Sequence, residues 1–119
     1  MIEHKYGSYS NEQFDEYKTK LHKKIFWLLI YKDPNTKDQF PNVDTYAFEQ
    51  YFKHVMLEID GMNALLFYPV EICSIMSLLE SALHETQKEE FDFRLFRKLI
   101  LDAHALIDKI NLPKEDKDD

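Results

Sequence analysis

Apolar residues recur at intervals of three and four along four stretches of this 119-residue chain, and almost nothing interrupts them. Only two glycines and four prolines are present, which excludes collagen-like, linker-rich and many-turned β architectures. An interval of three or four is the repeat of an α-helix, so each stretch presents one apolar face. The expected fold is an all-α, single-domain four-helix bundle, mostly antiparallel because short connections join consecutive helices. The bundle is expected over residues 1–112, and the acidic segment 113–119 is expected to be a disordered tail. No two runs show the alternation of paired strands.

The first helix is expected over 11–32, opened by Ser10 with Gln13 three residues on, the spacing of a capping box. Phe14, Tyr17, Leu21, Ile25 and Leu28 share its inner face, and Asp33-Pro34 ends it. A β-strand over Ile25–Tyr31 would break that phase, so the helical reading is preferred. The second, over 45–66, starts at an Asp44 N-cap and buries Phe48, Phe52, Val55 and Ile59, with Met62 and Leu66 continuing the stripe past Gly61. The third, over 69–86, places Pro69 at its first position and carries Ile72, Ile75, Met76, Leu79 and Leu83. The fourth, over 93–110, is capped by Asp92, stapled by Phe91 and Phe96, and stopped by Pro113.

The net charge is −7, but it is not spread evenly. From Asp33 to Asp92 the balance is −9, whereas Ser10–Lys32 and Phe93–Leu112 each carry +2. Opposite charges on adjacent elements support a bundle and keep it in solution. An acidic half also suits a protein partner with a basic surface, and Glu85, Glu89, Glu90 and Asp92 are the expected acidic face. Nucleic acid is disfavoured as a partner, because phosphate binding needs clustered Lys and Arg. The longest apolar run, Ile25–Tyr31, is seven residues, far below the roughly 20 that span a bilayer. With a polar N-terminus and a single thiol, Cys73, the expectation is a cytoplasmic protein with no membrane contact and no internal disulfide.

Catalytic signatures are sparse. Five histidines are present, but the Glu-x-x-His pairs of di-iron bundles are missing, so no metal or other cofactor is expected. Glu80 and His84 stand four apart in the manner of an ordinary surface pair. Gly7 and Gly61 form no phosphate loop. Arg97 and His104, separated by six residues on the last helix, form a pair that resembles the arginine–histidine motif of HEPN-domain ribonucleases. That resemblance implies an all-helical, dimeric enzyme whose histidine and arginine promote RNA cleavage by the 2′-hydroxyl. Lys98 follows the arginine where the family commonly has a polar residue, and Leu99, Ile100 and Leu101 are apolar. The structural alternative has both residues flanking the core, with Asp108 pairing His104 across one turn.

The feature that most exceeds structural need is the run from Ile25 to Tyr31. With Ile25 and Leu28 inward, Phe26, Trp27, Ile30 and Tyr31 extend apolar surface around the remaining arc, and a helix apolar all round must be covered all round. Cover from the loop around Phe40 is one answer and a protein partner is the other. These four residues are the expected partner-binding site, since aromatic rings make strong interface anchors. The expected function is a non-enzymatic, self-associating protein-binding module, a homodimer acting as a regulatory or inhibitory accessory. Its excess of lysine over arginine resembles the product of an AT-rich genome, and the phage or mobile-element setting is an analogy with small single-domain accessories of that kind. The ribonuclease using Arg97 and His104 is the alternative.

Overall fold

The computed structural model describes residues 2–41 and 44–110, within which four α-helices form an elongated bundle of 52 × 23 × 21 Å. The helices are α1 (Asn11–Lys32), α2 (Thr45–Leu65), α3 (Val70–Thr86) and α4 (Phe93–Ile107). α1 lies between α2 and α4, and α3 closes the ring against the same two. Contacts at both ends fix the directions. Tyr31 meets Tyr51 while Lys24 meets Glu58, so α1 and α2 are antiparallel; His22 meets Asp108 while Lys32 lies over the ring of Phe91, just ahead of α4, so α1 and α4 are too. The disordered tail expected over 113–119 lies outside the described residues.

The starts follow from local chemistry. Ser10 Oγ accepts from the Gln13 amide at 3.0 Å and the Gln13 side chain accepts from the Ser10 amide at 2.8 Å, completing the capping box. Asp44 accepts from the Ala47 amide, and Asp92 from those of Arg94 and Leu95. Phe91 and Phe96 form the expected staple, with ring centroids 5.6 Å apart. α2 passes through Gly61 without a break.

Several details differ from the sequence reading. Pro69 caps α3 rather than opening it, because its ψ of 141° is extended. α4 ends at Ile107, and the chain turns through Asp108 and Lys109, yet Ile110 remains buried. Ahead of α1 there is an antiparallel hairpin, β1 (Ile2–His4) and β2 (Gly7–Tyr9), where no strands were expected. Three-residue strands are too short to show alternation. What holds the hairpin is tertiary: Ile2 is buried, and the Lys5 amide donates to the carbonyl of Leu65 at 2.8 Å. The loop after α1 also contains a short 3-10 turn, Lys37–Gln39.

The core combines one stripe from each helix: Ile25 and Leu28, Phe52, Val55 and Ile59, Ile75 and Leu79, Phe96, Ile100 and Ile107 are fully buried. Each such side chain contributes roughly 1.5–3 kcal/mol. Two polar groups stand out within it. Tyr17 Oη is buried, and no described residue pairs with it, so burial pushes its pKa well above the ordinary phenol value. Glu85, expected on an acidic surface, is instead buried at 3% exposure. Its carboxylate accepts from the Asp92 amide at 3.0 Å and from Lys88 Nζ at 2.9 Å, closing the turn between α3 and α4.

The two groups predict opposite outcomes in thermal unfolding. Tyr17→Phe removes an unpaired hydroxyl and is expected to stabilise by about 1 kcal/mol. Glu85→Ala is expected to lower the melting temperature by several degrees. The hydrogen bond from Asp92 and the ammonium of Lys88 hold the Glu85 carboxyl below its usual pKa. Its stabilisation is therefore present above the unfolded-state value of about 4.3 and is lost as the pH falls through the lower folded value. The variant is expected to lose less stability than wild type on acidification.

Candidate functional site: an aromatic face and a histidine pair on the first helix

α1 is rotated so that Leu21, Ile25, Leu28 and Leu29 are buried, and that rotation decides where every other side chain of the helix goes. Residues four apart lie on one face. Phe26 and Ile30 thus form one ridge, and Trp27 and Tyr31 form a second, about 100° further round. The structure treats the ridges differently. Tyr31 packs edge-on against Phe40 (5.1 Å) and Tyr51 (5.8 Å), so it is half-buried by its own chain. Ile30 is half-buried as well. Trp27 stacks on Tyr31 and meets the edge of Phe40 at 5.7 Å, but stays 39% exposed. Phe26, on the side facing α4, is 45% exposed. The loop around Phe40 therefore covers Tyr31 and part of Trp27, while Phe26 and the outer part of Trp27 face solvent.

Beside Phe26 lies a network the sequence reading missed. His22 Nδ1 and His104 Nε2 are 3.0 Å apart, and His22 Nε2 is 2.9 Å from Asp108 Oδ1. A carboxylate can only accept, so His22 donates from Nε2 to Asp108; with both rings neutral its Nδ1 is then bare and accepts from His104 Nε2. Asp108 thus pairs with His22 on α1, not with His104 across one turn of α4 as the sequence suggested. The i, i+4 spacing of His104 and Asp108 was visible in the sequence; the third member, 82 residues from His104, required the packing of α1 on α4. The ring of Phe26 lies 6.3 Å from that of His104.

Arg97 is exposed and sits two turns away from His104 along α4, about 10 Å in axial distance. The hydrogen-bonding partner of His104 is His22, so the structure does not join the proposed arginine–histidine pair directly. Of the expected acidic face, Glu89 and Glu90 are exposed in the α3–α4 turn, Asp92 is engaged as a cap, and Glu85 is withdrawn into the interior. Among the described residues, no group of three or more His, Cys, Asp or Glu side chains is placed to hold a metal ion, and no helix is long and apolar enough to cross a membrane.

A second exposed aromatic pair occurs at the α2–α3 corner. Phe67 and Tyr68 take left-handed φ values of 64° and 58°, with amides donating to Ala64 and Asn63, and both rings face solvent. The sequence signal was the dipeptide Phe-Tyr before Pro69, too short to interpret alone. No family model matches this chain, and neither the curated proteins nor the solved structures contain a match to it.

The histidine pair predicts a pH response. Desolvation, then the proximity of His22, lowers the pKa of His104, with Asp108 opposing. Asp108 is itself held low, chiefly by its hydrogen bond with His22. Both groups then favour the folded state above their unfolded values and lose that contribution as the pH falls. His104 acts first, below about 6.5, and Asp108 below about 3.9. Urea midpoints measured from pH 7 to pH 5 are expected to fall for wild type and to fall less for His104→Gln, which keeps a donor for His22 but does not titrate.

Proposed function

We propose that this protein is a non-enzymatic protein-binding module that works by occupying a partner's surface. The observation that carries the reading is that Phe26 and Trp27 remain 45% and 39% exposed on a helix whose core positions are filled. Aromatic rings exposed at a surface supply large contact area at low entropic cost. The same face serves self-association, giving a homodimer, and the module acts in the cytoplasm as a regulatory or inhibitory accessory of the phage or mobile-element kind. The acidic residues between Asp33 and Asp92 steer it toward a partner with a basic surface.

A second reading, a HEPN-like ribonuclease using Arg97 and His104, draws support from the hydrogen-bonded chain Asp108–His22–His104. In that chain Asp108 orients His22, and His22 orients His104 for proton exchange. Incubation of single-stranded RNA with wild type and His104→Ala separates the readings: equal, background-level cleavage removes the enzyme.

For the binding reading, Phe26→Ser combined with Trp27→Ala is expected to weaken self-association at least about tenfold in sedimentation experiments while leaving the helical circular dichroism unchanged. A wild-type protein that is strictly monomeric at all concentrations, and whose binding to its native partner is untouched by the double change, overturns it.

A further inference from the structure

We infer that the outer groove between α2 and α3 is a docking site for a basic amphipathic helix of a partner protein, separate from the aromatic face of α1. The groove has a volume of about 550 Å³ and is lined by Met56 and Leu57 of α2 and by Met76 and Leu83 of α3, with Lys53 and Asp60 at its edges. Leu57 is 69% exposed in the middle of α2, where Phe52, Val55 and Ile59 already make the inward stripe. It therefore does nothing for the bundle's own core. Methionine side chains are unbranched and polarisable and adapt to the shape set against them, which suits a groove that receives another molecule's side chains.

The rim charges choose the partner. Lys53 is paired with Glu49 at 3.2 Å, so that edge is electrically balanced. Glu58 is met from within the chain by Lys24 and His54. Asp60 follows Met56 by one turn and lines the groove, and Glu80, one turn after Met76, stands on the adjoining outer face of α3, where it lines the neighbouring hollow between α3 and α4; both are exposed, and no ion pair engages either among the described residues. An apolar floor bordered by the unpaired Asp60, with Glu80 on the adjoining outer face of α3, calls for an apolar stripe flanked by lysine or arginine.

The walls set the partner's conformation. The lining residues span two helical turns on each wall, about 10 Å, the length over which a docked helix places its i, i+4 and i+7 anchors. The walls are helices whose backbone groups are already bonded, so they offer no edge for an added strand. Phosphate backbones and anionic lipid surfaces would meet the carboxylates with like charge. A second copy of this chain presents no matching helix from α1: the apolar stripe of that lysine-bearing helix is in the core, and its exposed Phe26 and Trp27 fall on two ridges about 100° apart rather than on one i, i+4, i+7 stripe.

The test uses the intact chain and a synthetic leucine–lysine amphipathic peptide, with affinity from calorimetry and the site from amide chemical-shift changes. Binding is expected in the micromolar range, with shifts centred on Met56, Leu57, Met76 and Leu83. Leu57→Gln and Asp60→Lys, both at exposed positions that leave the fold intact, are each expected to weaken it at least about tenfold, and raising the salt to about 0.5 M weakens it further. The same peptide with glutamate for lysine does not bind. Trp27→Ala leaves the affinity unchanged, so failure here and failure of the α1 face are read separately. Absence of binding, shifts that map to α1 or α4, or wild-type affinity in Leu57→Gln overturns the inference.

Discussion

The rotation of α1 about its own axis is the constraint on which the rest of this molecule depends. Ile25 and Leu28 are fully buried between α2 and α4, and a turn of one residue, about 100°, would carry them to the surface. With those two side chains fixed, His22 has no choice but to face α4, Lys24 and Tyr31 face α2, and Phe26 and Trp27 point outward. Packing thus distributes the remaining chemistry. The ion pair of Lys24 with Glu58 and the hydrogen bond of His22 with Asp108 are consequences of that rotation as much as supports for it.

Much of the architecture was legible because it is local. Ser10, Asp44 and Asp92 announce helix starts by the chemistry of their own side chains, and Asp33-Pro34 announces an end. Core stripes can be traced from spacing alone. The N-terminal hairpin could not be found that way, since its stability comes from Ile2 and from a hydrogen bond to Leu65, more than fifty residues distant. The histidine network was hidden for the same reason. Glu85 was misplaced because charged residues are seldom fully buried, and nothing near it in sequence marks the Asp92 amide as its target. Among the aromatic residues, the four picked out on α1 separate into Tyr31, sheltered by Phe40 and Tyr51, and Phe26 and Trp27, which are not; only the fold of the intervening loop makes that division.

Charge segregation takes on a geometrical meaning in the bundle. The acidic helices α2 and α3 are neighbours, so their carboxylates gather along one side, while the mildly basic α1 and α4 adjoin on the other. The half-exposed contacts between the two sides, Lys24 with Glu58 and Lys32 over the ring of Phe48 at 4.6 Å, draw lysines of α1 toward α2. The exposed faces keep opposite electrical character, and a partner approaching from either direction meets a different molecule.

The corner at Phe67 and Tyr68 sits at the end of the bundle away from Trp27. Side chains other than glycine incur roughly 1–2 kcal/mol for each left-handed residue, and here two occur in succession. The junction is consequently under tension that the neighbouring helices must restrain. Heat would find its first purchase there, and a glycine in place of either ring would make a sturdier bundle with a barer tip.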